Sequence, residues 1–254
     1  MKFKLHFQRF EMKYQIPMHL IDGLMPELLK YMEFDQYTKS WPDHAYEVHS
    51  LYYDSAGLDC YYQKLAGVKI RKKLRIRFYN LDLNPETTVF LEIKKKFDTI
   101  VIKDRFALTY QDCYQLLNYN KIPEHFLADN DKKESLNEFL WLKSYNSMRP
   151  QNIVSYKRKA LISKIDPDFR VTFDYDIKTY PAEWLTNRKN PLAVNPGGAI
   201  LEVKFNNVMP AWFHQIIQRY NLEQRPFSKY CSALEVCQPQ LVNAVSEQNR
   251  FYQN

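Results

Sequence analysis

Residues 68–79 read VKIRKKLRIRFY, and their alternation decides the fold. In an extended strand Lys69, Arg71, Lys73, Arg75 and Arg77 fall on one face, opposite Val68, Ile70, Leu74, Ile76 and Phe78. An ordinary antiparallel sheet packs its apolar face on a core and wets its polar face. A wet face usually mixes its charge signs. A row of cations repels itself unless something anionic lies across it.

Outward from this stretch the same habit recurs. In 88–97 (TVFLEIKKKF) Glu92, Lys94 and Lys96 face away from Val89, Leu91 and Ile93, and in 99–108 Lys103 and Arg105 are in phase. In 8–14 (QRFEMKY) Arg9, Glu11 and Lys13 oppose Phe10, Met12 and Tyr14. Residues 46–53 read as a further strand. Later, 152–161 set Tyr156 and Arg158 in phase, 169–177 align Arg170, Thr172, Asp174 and Asp176, and 199–205 align Glu202 and Lys204. The pattern predicts about eight strands in one antiparallel sheet. Helices are expected from Pro17 to about Met32, from Asp54 to Leu65, and over 109–118, 132–145 and 209–221, the last opened by Pro210. Residues 181–198, rich in Pro, Asn and Gly, read as a long loop. The polar faces hold few Thr, Ser or Gln and many Arg, Lys and Glu, so the expected fold is α+β. A closed eight-stranded antiparallel barrel would turn the charged face into its lumen and pack helices outside. A single domain is expected over 1–238, followed by a polar tail, 239–254, expected to fray.

Composition agrees with a folded globular chain. Hydrophobic residues are 45% and aromatics 15% of 254 residues, and glycine occurs only 5 times, with no Gly/Ser or Pro-rich linker. The net charge of +7 points to an anionic partner. Cys60, Cys113, Cys231 and Cys237 form no CxxC pair and no zinc spacing, which suggests a reducing, cytoplasmic setting. MKFKLHFQRF lacks the apolar core of a signal peptide, and no stretch approaches the ~20 apolar residues of a membrane span. His6, His19, His44, His49, His125 and His214 show no ligand spacing, and Trp141, Trp184 and Trp212 read as core or loop anchors.

A lumen lined by Arg9, Lys13, Arg75, Arg77, Lys94, Arg158, Arg170, Lys204 and Lys229 would focus a positive potential. Arginine forks grip phosphate oxygens and lysines supply point charges. Glu11, Glu92 and Glu202 fit if a divalent cation bridges carboxylate and phosphate oxygens, since Mg²⁺ and Mn²⁺ take oxygen ligands. Asp174 and Asp176 read either as members of the metal cluster or as partners of neighbouring arginines, and pairing is favoured. Single-stranded nucleic acid is disfavoured, because Phe10, Tyr14 and Phe78 lie on the face opposite the charges and stacking platforms should share it.

RFEMKY at 9–14, SLYYDS at 50–55, KLRIRFY at 73–79, FLEIKKK at 90–96, YKRKAL at 156–161, RVTFDYD at 170–176, ILEVKF at 200–205 and FSKYCSAL at 227–234 occur in the order seen in VTC-type domains. Over residues 6–235 the chain resembles these polyphosphate polymerase domains of the triphosphate tunnel metalloenzymes. The resemblance implies a tunnel of eight antiparallel strands that binds a nucleoside triphosphate or polyphosphate with Mg²⁺ or Mn²⁺. It implies transfer of the γ-phosphoryl group of ATP onto a growing polyphosphate chain. Relatives instead hydrolyse tripolyphosphate or nucleoside triphosphates, or cyclise ATP. By resemblance Lys13 corresponds to the first-strand lysine and Arg75 and Arg77 to the paired arginines of the basic strand. Lys94, Arg158 and Arg170 match further phosphate-binding positions, Glu202 the metal-binding glutamate, and Lys229 a basic residue near the tunnel mouth.

Catalytic roles are thus expected of Arg75, Arg77, Arg158 and Arg170. Substrate contacts are expected of Arg9, Lys13, Arg71, Lys94, Lys103, Arg105, Tyr156, Lys204, Ser228 and Lys229, and metal binding of Glu202, Glu11 and Glu92. The alternatives are a tripolyphosphatase or nucleoside triphosphatase on the same tunnel, and a non-catalytic polyanion binder. Eukaryotic members add SPX and membrane-spanning segments that these residues lack. The chain is expected to be cytoplasmic, with a separately encoded membrane partner and a place at the inner face of a membrane left open.

Overall fold

A computed structural model describes residues 9–98, 100–127, 130–182, 190–206 and 208–244. The chain runs β1 (Arg9–Pro17), α1 (Leu20–Leu29), β2 (Met32–Phe34), α2 (Gln36–Lys39), β3 (Tyr46–Asp54), α3 (Asp59–Leu65), β4 (Ile70–Phe78), β5 (Thr88–Phe97), β6 (Ile100–Thr109), α4 (Tyr110–Tyr119), α5 (Glu124–Leu127), α6 (Asn130–Tyr145), β7 (Arg149–Ser163), β8 (Arg170–Pro181), β9 (Leu192–Ala193), β10 (Gly198–Asn206), α7 (Ala211–Arg219) and α8 (Lys229–Cys237). The strands follow the hydrogen-bonded order β1-β10-β8-β7-β3-β4-β5-β6, with β2 added to β7 and β9 to β8. The fold is an antiparallel α+β sheet with helices. Among the described residues the ladder ends at β1 and β6, so hydrogen bonds do not close the sheet as the barrel expectation required.

Two compact units emerge from the packing. In the first (residues 1–47, 156–177 and 193–228), Tyr14, Ile16, Phe173, Leu201, Val203 and Phe205 form one apolar sheet face. That face is covered by Ile21, Leu24 and Leu28 of α1 and by Phe213 and Ile216 of α7. Each fully buried Leu or Phe there contributes about 1.5–3 kcal/mol relative to exposure, which fixes the register and forces the charged residues to the other face. In the second unit (residues 48–155, 178–192 and 229–254), Leu74, Ile76, Leu91, Ile93, Phe106 and Leu108 are buried, as are Leu116 of α4 and Leu136 and Phe139 of α6. The ring of Phe106 stands edge-on to those of Phe126 and Phe139.

Local chemistry explains most boundaries. Thr109 caps α4 by accepting the Asp112 N–H at 3.0 Å, and Asp35 caps α2 by accepting the Thr38 N–H at 2.7 Å. Pro17 does not open a helix as expected. Its strand pairs with Gly198 and the Met18 N–H continues to Gly197 O at 2.9 Å, so α1 starts only at Leu20. Asp54 lies ahead of α3 yet still caps it, accepting the N–H groups of Cys60 and Tyr61 at 2.9 and 3.1 Å. The helix itself begins after Leu58, whose backbone is left-handed at φ 57°. Residues 239–244 are helical rather than frayed, and Tyr62 Oη donates to Val242 O at 2.9 Å. The remainder of the expected tail, and Trp184 in the expected 181–198 loop, lie outside the described residues. Cys60, Cys113 and Cys231 are buried and Cys237 is half-buried.

Candidate functional site

The second unit answers the question posed by the row of cations. Arg75 on β4, Glu92 on β5 and Arg105 on β6 are register partners, so one carboxylate stands in the middle of the basic face. Glu92 is fully buried, and Arg75 Nε lies 2.5 Å and Arg77 Nε 3.9 Å from its Oε2. Lys103 Nζ lies 2.9 Å and Arg105 Nε 3.5 Å from Oε1. Burial raises the Glu92 pKa, but Arg75, Arg77 and Lys103 together overcome this and hold the carboxyl well below its usual range. A carboxylate with four cations around it leaves a net positive surface that is ordered before any ligand arrives.

Aromatic rings carry these cations. Arg75 lies 5.9 Å from the Tyr52 ring and donates to its Oη at 3.2 Å, while Arg105 lies 3.6 Å from the Phe90 ring. Lys73 is 4.9 Å from the Tyr230 ring, and Tyr230 Oη donates to Asp54 Oδ2 at 2.6 Å. That bond ties α8, whose first residue is Lys229, to the last residue of β3. Aromatics therefore do share the cationic face, against the sequence argument from Phe10, Tyr14 and Phe78. Tyr52 and Phe90 are simply in phase with Ser50 and Glu92. Since Tyr52 and Tyr230 are buried beneath cations, they support charge and offer no open stacking platform.

The first unit holds a second charged face. In register across β1, β10 and β8 stand Lys13, Glu202 and Thr172, and next to them Glu11, Lys204 and Arg170. Lys13 Nζ lies 3.1 Å from Glu11 and 3.6 Å from Glu202, donates to Phe227 O at 3.3 Å, and Lys204 pairs with Glu202 Oε1. Burial lowers the Lys13 pKa, yet Glu202 and Glu11 more than reverse this and keep the ammonium charged. Arg158 grips the fully buried Asp174 with both arms of its fork, at 2.6 and 2.7 Å, and lies 5.3 Å from the Tyr156 ring. Asp174 thus pairs with arginine as the sequence suggested. Asp176 turns outward on a left-handed backbone at φ 51°.

The family model of the VTC domain matches residues 8–238. This chain belongs to the VTC domain family. No curated protein matches it. Among solved structures, a Bacillus halodurans protein provisionally described as an adenylate cyclase is similar at 12% identity and a TM-score of 0.46, covering 87% of this chain and 95% of that one. The PH1819 protein of Pyrococcus horikoshii is similar at 13% identity and TM-score 0.43, covering 89% and 98%. The Mimivirus capping enzyme triphosphatase follows at 11% identity and TM-score 0.32, covering 85% and 90%. The family assignment rests on the VTC match.

Within this VTC domain the sequence-predicted residues divide between the two faces. Lys73, Lys94 and Lys103 form one row and Arg71 and Lys96 the next on the second unit. Arg170 is exposed, with Nε donating to Pro167 O at 3.2 Å. Ser228 is half-buried just before α8. Arg9 pairs with Asn206 through its backbone, and its side chain lies outside the described residues. Sequence reasoning gave no site role to Tyr52, Asp54, Thr172 or Tyr230, of which the first three were legible as polar residues in phase with their strands.

Oxygen donors for a divalent ion exist in the first unit. Glu11 and Glu202 lie to either side of Lys13, and next to Glu202 in register the buried Oγ1 of Thr172 has no hydrogen-bond partner among the described residues. These donors fit an oxygen-seeking ion. Glu92 fits one poorly, because a divalent ion there would add to four positive charges. Among the described residues no group of three or more His, Cys, Asp or Glu is arranged as a ready metal cage.

Proposed function

We propose that this VTC domain is a metal-dependent enzyme acting on triphosphates, and that it transfers the γ-phosphoryl group of ATP to a growing polyphosphate chain. The observation that carries the reading is the Glu92 cluster. It presents Arg75, Arg77, Lys103 and Arg105 around one buried carboxylate, in a chain matched by the VTC family over most of its length. Arg75 and Arg77 grip phosphoryl oxygens, as an oxyanion hole holds an acyl oxygen, and Lys94, Lys103, Arg105 and Arg71 extend the cationic wall. Glu92 serves as their internal counter-ion.

In the first unit Glu202 and Glu11 would hold Mg²⁺ or Mn²⁺, which would neutralise charge on phosphate oxygens bound there. Arg158, aimed by Asp174, and Arg170, Lys13, Lys204 and Tyr156 contact phosphate oxygens. Lys229 and Ser228 add contacts at the start of α8. No nucleophilic side chain is required, since the terminal oxygen of polyphosphate is already anionic and phosphoryl transfer depends on positioning and charge. The same residues would serve water as the acceptor, which makes the tripolyphosphatase the second reading. Replacing Glu202 by Gln is expected to raise the Mn²⁺ concentration for half-maximal turnover by about tenfold or more. Unchanged turnover and unchanged metal dependence would remove Glu202 from the metal site.

The cationic wall also predicts a pH dependence. Burial lowers Lys103 to about 8, with Arg77 and Arg75 acting in the same direction and Glu92 opposing them. Above that pH the free protein loses the charge, and binding an anion must take up a proton. Affinity for tripolyphosphate therefore falls as pH rises above about 8, by at most about tenfold per pH unit. Titration calorimetry at neutral and alkaline pH should show this fall in the wild type and a flat response in Lys103→Arg. A wild-type affinity that stays level would refute the role of Lys103.

A further inference from the structure

The β5–β6 hairpin and the start of β4 end in an edge that triphosphate chemistry does not use. Ile70, Phe97 and Ile100 are register partners across β4, β5 and β6, so they form one row on the face opposite Arg71, Lys73, Lys94 and Lys96. All are exposed, Ile70 by 64%, and Val68, Ile102 and Leu65 (58%) are exposed in the adjoining segments. The Asp98 N–H bonds to Lys69 O at 2.9 Å, which fastens the hairpin turn to the entry of β4. Gly67, at φ 69°, makes the tight turn that brings Val68 out of α3. An apolar edge of this kind invites association and is uncommon on a surface with no partner.

The opposite face of the same edge is cationic. Residues 64–73 and 94–103 contain nine Lys or Arg and a single acid, Asp98. Lys72 and Lys95 are satisfied by Glu138 on the helix side, and Lys103 by Glu92. Around the tip stand Lys69, Arg71 and Lys96, with Lys64 at the end of α3. Burial pushes the Lys64 pKa down, and Arg71, Lys73 and Lys96 push it the same way, so these groups stand close enough to repel.

We propose that this edge docks on a bilayer carrying anionic headgroups, with Ile70, Phe97 and Ile100 entering the interface and Lys69 and Lys96 meeting the lipid phosphates. A soluble polyanion would meet the cations and leave the apolar row wet. An apolar protein surface would cover the row and leave the cations facing each other. An anionic bilayer satisfies both, because headgroup phosphates and acyl chains lie within about 5–10 Å of each other along the membrane normal. A hairpin inserted tip-first reaches both layers with its two faces.

The test is co-sedimentation of the full chain with phosphatidylcholine vesicles, with and without phosphatidylglycerol, in the absence of nucleotide. Leaving nucleotide out keeps the result separate from the polymerase reading. The wild type is expected to bind the anionic vesicles at least about tenfold more tightly than neutral ones. Ile70→Ser with Phe97→Ser keeps every charge and is expected to weaken that binding by about tenfold or more, at an unchanged melting midpoint. Lys69→Gln with Lys96→Gln is expected to weaken it too. Binding undiminished in the serine pair would reduce the effect to general attraction of a basic protein and overturn the proposal, as would no binding to anionic vesicles. A lipid-free dimer in sedimentation equilibrium that the serine pair dissolves would assign the row to a second copy and also overturn it.

Discussion

Arg75→Gln is expected to lower kcat/KM for triphosphate turnover by about a thousandfold, with the protein still folded. Arg75 is aimed on one side by Glu92, at 2.5 Å from Nε, and on the other by the Tyr52 hydroxyl, at 3.2 Å from Nη1. Its fork is therefore set before substrate binds, and such preorganised donors carry the largest share of transition-state stabilisation. Arg75→Lys keeps the charge but loses the planar fork, so it should recover only a small part of the activity. Steady-state kinetics on both variants, alongside thermal melting, checks this. Near-wild-type turnover in Arg75→Gln would remove the paired arginines from the chemistry.

Glu92→Leu is expected to cost about 3–5 kcal/mol of stability, measured by urea unfolding, the largest loss for any single change on the basic face. The substitution leaves Arg75, Arg77, Lys103 and Arg105 facing one another without their counter-ion. Tripolyphosphate should restore part of that loss, about 2.7 kcal/mol at a hundred times its Kd, because the ligand takes over the charge balance. The sign of the pH effect follows from the carboxyl. Its folded pKa is held below the unfolded value, so its contribution is complete above the unfolded pKa and is lost as pH falls below about 4. The wild type should therefore lose stability in acid more steeply than Glu92→Leu. Equal stability of the two proteins at neutral pH would contradict the counter-ion role.

The strands were legible because period-two alternation and burial say the same thing. Val89, Leu91 and Ile93 could not face helices unless Glu92 and Lys94 faced away. Short elements such as β2 and α2 carry too few residues for a period to show. Strand pairing was the harder matter. Alternation placed Glu92 and Arg75 each on a polar face, but only the register of β4 with β5 makes them partners. From phase alone Glu92 reads as a metal donor, and the arginine and lysine cage around it appears only with the register. The same limit hid the latch between Asp54 and Tyr230, 176 positions apart in sequence. Asp174 was easier, because an acid beside basic strands has few alternatives to an arginine partner. Lys72 shows what phase alone can miss: out of phase with its basic neighbours, it meets Glu138 of α6 at 2.9 Å and helps seat that helix.

The most direct measurement is incubation of the purified protein with ATP and Mn²⁺, followed by gel analysis for polyphosphate and an assay for orthophosphate. Long anionic chains, lost in Arg75→Gln, are the predicted result. Orthophosphate without chains would contradict the polymerase and leave a hydrolase on the same residues. Neither product would contradict triphosphate chemistry altogether.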